Sequence, residues 1–110
     1  MPRKSEVLQG TLDMLVLKTI EPVGPMHDWG VARRIQQISD NALQLTQGTI
    51  YPVLLRLEQR GWISAEWGTT DNNREARFYS LTKSGHKPLQ EETENWQKMM
   101  AIINHVFESA

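Results

Sequence analysis

Hydrophobic periodicity in this chain changes at Gly61, and the change limits the folds open to it. Upstream, Ile50, Val53, Leu54 and Leu57 recur at the three- and four-residue spacing of a helix with one buried face. Downstream, Ile63, Ala65 and Trp67 alternate with Trp62, Ser64 and Glu66, the period of a half-buried strand. A glycine between the two suits a helix end, because it enters the left-handed region without a Cβ penalty. The polar run GTTDNNRE, residues 68–75, then predicts a turn, and ARFYSL, residues 76–81, a return strand that completes a hairpin.

Two more helical patterns precede this unit. Over residues 5–20, Leu8, Leu12, Leu15 and Thr19 repeat at helical spacing, and Val7, Met14, Val16 and Leu17 widen the apolar face, so this helix is covered on more than one side. EPVGPM, residues 21–26, is expected to stop it with two prolines and a glycine. The second helix starts near His27 or Asp28, buries Val31, Ile35 and Ile38, and turns Arg33 and Arg34 to the other side. SDNAL ends it, and residues 43–45 leave room for a very short edge strand. Three helices and then a hairpin predict a mainly α fold with a small β-hairpin, the winged helix-turn-helix arrangement. In that arrangement the third helix enters the DNA major groove and the hairpin lies against the neighbouring backbone or minor groove.

A length of 110 residues fits one compact domain. With no cysteine, neither a thiolate metal site nor a cysteine nucleophile is available. His27, His86 and His105 lie far apart in sequence, and the chain has no phosphate-cradling glycine loop and no nucleophile-elbow serine, so neither an enzyme nor a cofactor or metal is expected. The start MPRKSEVL lacks an apolar run long enough for a signal peptide and no segment approaches a membrane span, which predicts a cytoplasmic protein.

The net charge of -1 is unlike the basic surplus of most DNA binders, but it is unevenly spread. Residues 1–87 carry 11 Lys and Arg against 9 Asp and Glu, and residues 88–110 carry 1 against 4. A weakly basic body thus precedes an acidic tail, a gradient that solvated faces of ordinary helices also produce.

The third helix carries a glycine and a proline that weaken it. At about 100° per residue, Gly48, Pro52, Leu55 and Gln59 fall opposite its buried face, flanked by Tyr51 and Arg56. Pro52 forgoes at most one backbone bond, and none if the helix begins at Gly48 or Thr49. Gly48 has no side chain to hold its backbone away from a partner. Thr46 can cap this end through its hydroxyl, free N–H groups and the dipole favour phosphate there, Gln47 can read a base edge, and Thr49 and Tyr51 offer hydroxyls to phosphate oxygens. Gly48 and Pro52 would equally serve only to shape a helix start. Arg74 near the hairpin tip and Arg77 along its return strand add positive charge.

The stretches LQGTLDMLVLKTI with GPMHDWGVARRIQQIS, then GTIYPVLLRLEQRGWISAEW, and finally RFYSLTKSG together resemble the PadR family of bacterial transcriptional regulators, in the short subgroup with a single C-terminal helix. The resemblance covers nearly the whole chain, and its middle stretch, with Gly, Thr, Tyr, Pro and a Leu-Glu-x-x-Gly ending, is distinctive. It implies a homodimeric winged-helix DNA binder, usually a repressor, whose grip a small molecule loosens. Gln47, Thr49, Tyr51 and Pro52 match the family's recognition-helix positions, and Arg74 and Arg77 match its basic wing. Two departures stand out. Asp28 and Trp29 follow His27 where the family commonly has glycine and then an aromatic, and Pro88 falls in a helix that is usually unbroken.

Pro88 is expected to start the long helix afresh after a short turn, TKSGHK, capped by Thr82, with Glu91 and Glu92 well placed for the dipole. The chain accordingly divides into a winged helix-turn-helix over residues 1–87 and a dimerisation helix over residues 88–110 that packs with the helix at 5–20, both in one compact unit. Trp96, Met99, Met100, Ile103, Val106 and Phe107 then fall on one face that a domain this small has little means to cover. A second copy is expected to cover it, with Leu8, Leu12 and Leu15 contributing; folding back onto the chain's own first helix is the alternative. In multidrug-sensing relatives the aromatic equivalent to Trp96 stacks flat compounds at the dimer interface, so the resemblance makes Trp96 a ligand candidate with the adaptable Met99 and Met100 around it. A Trp and Met stripe also arises from packing alone. The rival to DNA binding is a winged helix used for protein contact, which the acidic net charge and an exposed Leu55 would suit.

Overall fold

The computed structural model describes residues 11–109. Their elements run α1 (Leu12–Val23), β1 (Met26–His27), α2 (Asp28–Ile38), α3 (Gln47–Gln59), β2 (Ile63–Thr69), β3 (Glu75–Leu81) and α4 (Lys83–Ser109). The molecule is mainly helical, with a small antiparallel sheet ordered β1-β3-β2. Its core takes one face from each element: Val16, Leu17 and Ile20 of α1, Val31, Ala32 and Ile35 of α2, and Ile50, Val53, Leu54 and Leu57 of α3, closed over by Ile63, Tyr79 and Leu89. The α3 face predicted from spacing is the buried one.

The chemistry at Gly61 is that of a helix end in which the next residue folds back. Gly61 sits at φ 78°, its N–H bonds the Glu58 carbonyl at 2.9 Å, and the Trp62 N–H reaches the Leu57 carbonyl at 3.0 Å. The chain leaves α3 here directly into β2. The hairpin then pairs Ile63 with Leu81 at its base and Thr69 with Glu75 at its tip. Its turn is closed by the Thr70 N–H on the Arg74 carbonyl at 2.8 Å, with Asn73 in the left-handed region.

Three expectations are corrected. The first helix does not stop at residue 20: α1 continues through Pro22 to Val23, because a proline in the last turn removes only one bond and its φ is already helical. Residues 5–10, Leu8 among them, lie outside the described residues. The edge strand is not at residues 43–45 but at Met26–His27, paired with Tyr79 and Phe78. The Ser39 hydroxyl instead holds the Leu43 N–H at 3.0 Å, and Leu43 and Leu45 pack half-buried against the core. Finally, α4 does not begin at Pro88. It runs unbroken from Lys83, so Pro88 lies inside the helix, where it forgoes the single bond its N–H would make to the Ser84 carbonyl.

Thr82, expected to cap only a short turn, caps α4 itself, its Oγ1 accepting from the Gly85 N–H at 3.2 Å while its hydroxyl donates to the Gly61 carbonyl at 2.6 Å. The start of α4 is thereby stapled to the end of α3. Gly85 makes this approach possible, since a Cβ there would collide with the Trp62 carbonyl oxygen, a backbone atom. Gly85→Ala is therefore expected to destabilise the fold by about 1–3 kcal/mol, as overpacking does, read as a lower denaturation midpoint.

Candidate nucleic-acid interface

Thr46 stands just before α3 in an extended conformation, and its Oγ1 accepts from the Thr49 N–H at 3.3 Å. The Thr46 and Thr49 hydroxyls lie 3.2 Å apart and share a hydrogen bond. Gln47, Gly48, Thr49, Tyr51 and Pro52 are all exposed, so the end of the helix that sequence reasoning singled out is presented to solvent. The N–H groups of Gln47 and Gly48 belong to the first turn, where a helix supplies no acceptor of its own. That turn carries no acidic residue to occupy the positive end of the dipole. A Cβ on Gly48 would meet only Thr46 Oγ1, at 3.7 Å, so nothing within the described residues requires glycine there. With α3 starting at Gln47, Pro52 is its sixth residue and does forgo one bond, to the Gly48 carbonyl.

The arginines sort differently from what charge alone suggests. Arg56 is bound intramolecularly: Nη2 donates to Asp13 Oδ1 at 2.6 Å, and Arg60 Nη1 reaches the same carboxylate at 3.3 Å. The bond to Asp13 raises the Arg56 pKa above its ordinary value. Arg56 therefore ties α3 to α1 while its side chain stays 45% exposed. Arg77 is also engaged, donating from Nη2 to Glu58 Oε2 at 2.5 Å, and this bond raises its pKa. Arg74, just before β3, is exposed; among the described residues its guanidinium makes no ion pair, and its N–H bonds Thr70 Oγ1 at 3.2 Å.

One residue on this surface was missed. Trp67 stands opposite Arg77 in the hairpin and shares its face, yet it is 73% exposed. The alternation that marked β2 placed Trp67 with the buried Ile63, but the strand runs past the core before reaching it. On the same face Tyr79 is buried, which raises its phenol pKa, with the Arg77 charge opposing. Where Asp28 and Trp29 depart from the family pattern, Asp28 Oδ1 accepts from the Trp29 N–H at 2.7 Å, and the close approach falls at Gly30, whose Cβ would lie 2.8 Å from His27 Nδ1.

The long helix presents the second surface. Among the described residues, only Gly85 and Leu89 of α4 are buried. Met99, Met100, Val106 and Phe107 are exposed, Phe107 at 77%, with Ile102 beside them, whereas Trp96 and Ile103 are half-buried. Trp96, Met99, Ile102 and Ile103 line an open cleft of about 650 Å³ with Thr11, Glu92, Asn95 and Lys98; Met100 does not line it. Leu12 is only 9% exposed and Leu15 packs against the core, so Leu12 is corrected from an interface residue to a core residue of its own chain.

Comparison with known proteins places this architecture. A protein of Lysinibacillus sphaericus of uncharacterised function is 26% identical over 101 residues, covering 92% of each chain. Among solved structures, a transcriptional regulator from Clostridium thermocellum superposes with a TM-score of 0.80 at 23% identity, covering 94% of this chain and 97% of that one. A PadR-like transcriptional regulator from Bacillus cereus gives the same TM-score and coverage at 20% identity. A PadR family regulator from Eggerthella lenta gives 0.75 at 25% identity, covering 96% and 88%. The sequence profile of the transcriptional regulator PadR-like family matches residues 16–91. Since that match runs from within α1 through α2, α3 and the hairpin to the stapled start of α4, more than half of the chain, the chain belongs to the PadR-like family of transcriptional regulators.

Proposed function

We propose that this regulator is a homodimeric repressor that binds an inverted-repeat DNA operator, with α3 in the major groove and the hairpin as its wing. The observation that carries the reading is the outer end of α3: free N–H groups, hydroxyls and Gln47 around a glycine that the fold itself does not need. Gln47 reads a base edge, Thr46, Thr49 and Tyr51 meet phosphate oxygens, and Pro52 shapes the helix that brings them there. The DNA-reading unit is carried on α4, Lys83–Ser109, which serves as the dimerisation helix. Trp96 and Met99 are the residues around which a small aromatic effector would lie, and α4 joins that cleft directly to the DNA-reading unit. The protein acts in the cytoplasm, without catalysis; within the described residues no helix is long and apolar enough to cross a membrane.

Selection of bound sites from a random duplex pool, with the mass of the complex recorded, tests this directly. An enriched inverted repeat holding two chains is expected. Arg74→Ala is expected to weaken binding to selected and random duplex alike, and to lower the salt slope by about 1 for each phosphate that the arginine neutralises. No enrichment from the pool, with a dimer still present, would favour the protein-contact reading, to which the exposed Leu55 lends its apolar surface.

A further inference from the structure

We infer that Glu58 and Arg77 form a strut that fixes the wing against α3, so that Arg77 is a positioning residue and not a phosphate ligand. The inference deepens the DNA-binding reading above and rests on it for its functional part. Glu58 lies in the last turn of α3, next to the fully buried Leu57, so its backbone is as firmly placed as any in the molecule. Arg77 lies on β3 one pair beyond the point where the hairpin leaves the core. Tyr79, two residues on, is buried, whereas Trp67, directly opposite Arg77, is exposed.

From Trp67 and Arg77 outward the hairpin has its own ladder but little core beneath it, and a two-stranded ribbon by itself is marginal. The bond at 2.5 Å between Arg77 Nη2 and Glu58 Oε2 ties that free stretch to the helix, across 19 residues of chain. Both side chains are about 30% exposed or less, and the Arg77 guanidinium lies 5.8 Å from the Tyr79 ring centre, so it is held from two sides. A phosphate approaching Arg77 would also meet the Glu58 carboxylate, which cancels the charge that such a contact needs. What the strut presents instead is the flat side chain of Trp67.

The two possible roles of Arg77 predict opposite signs for one variant. Glu58→Ala removes a negative charge beside the DNA. If Arg77 gripped phosphate, the variant would bind more tightly and with a steeper salt slope. As a strut partner, its loss is expected to weaken operator binding by about fivefold, the scale of a modest coupling between elements, with the salt slope unchanged. Arg77→Ala is expected to match it in both respects, and the double variant to be no worse than either. Tighter binding by Glu58→Ala, or a flattened slope in Arg77→Ala, would overturn the inference.

Amide hydrogen exchange on the free full-length chain decides the structural part without DNA. Both variants are expected to exchange faster at residues 66–78 than the parent, with the α3 amides unchanged, and identical exchange in the hairpin would overturn the strut. If the parent chain bound no duplex, the DNA-binding reading would fall, and the exchange result would still stand for or against the strut.

Discussion

Gly48→Leu is expected to leave the fold intact and to reduce binding of the selected operator to the level of random duplex, a loss of about a thousandfold or more. The two halves of that result have separate causes. A side chain at position 48 enters open space, since only Thr46 Oγ1 lies near its Cβ, and the residue is exposed. Leucine is also the better helix former, so stability is expected to hold or to rise by up to about 0.7 kcal/mol. Binding suffers because four added carbons stand the helix away from the groove floor, and base-edge hydrogen bonds do not survive a displacement of about 1 Å or more. Phosphate contacts at the periphery can readjust, so non-specific affinity is expected to change little. Thermal unfolding and equilibrium binding to selected and random duplex check the two halves. An operator affinity equal to that of the parent would take this end of α3 out of the interface.

Gly85 is the contrasting case, and the contrast marks what could be read from sequence. Both glycines sit in helices and look alike as letters. One is dictated by the Trp62 carbonyl packed against it, the other by nothing inside the described chain. Local pattern was enough for α3 and the hairpin, because the change of period at Gly61 is written in consecutive residues and the φ of 78° bears out the glycine's task. It failed where partners are distant in sequence. Arg56 meets Asp13 across 43 residues and Arg77 meets Glu58 across 19, so neither pairing leaves a spacing signal, and both arginines read as free charge. The two-residue strand at Met26–His27 has too few residues to show alternation and exists because β3 offers it an edge. Pro88 misled for a different reason: proline is a strong breaker in general, yet early in a capped helix it removes a single bond. Trp67 was hidden by its own regularity, since alternation gives the face of a strand but not where the core beneath that face ends.

The remaining large effect concerns α4. Replacing Ile103 and Val106 together by lysine is expected to yield a folded monomer that holds a two-half-site operator at least about 100-fold more weakly than the parent. The helix is 27 residues, about 40 Å at 1.5 Å per residue, in a molecule 54 Å long, so most of it extends away from the core. Its large apolar residues from Trp96 to Phe107, Ile102 included, fall within an arc of about 160° at helical spacing, which is the geometry for packing against another helix. Fully burying one such side chain contributes about 1.5–3 kcal/mol, so covering the arc on two chains offers enough to hold a dimer after association costs. Two lysines in the middle of the arc, one at each position, would place four charges in that seam. The fold should survive, because neither residue is in the core. Affinity for a single half-site should also survive, because α3 and the wing are untouched; only the gain from linking two half-sites is lost. Sedimentation for mass, with binding to one and two half-sites in parallel, separates these effects. A variant that remained dimeric would move the interface to another face, and one that lost half-site binding as well would tie α4 to the reading unit more closely than the staple at Thr82 and Gly85 implies.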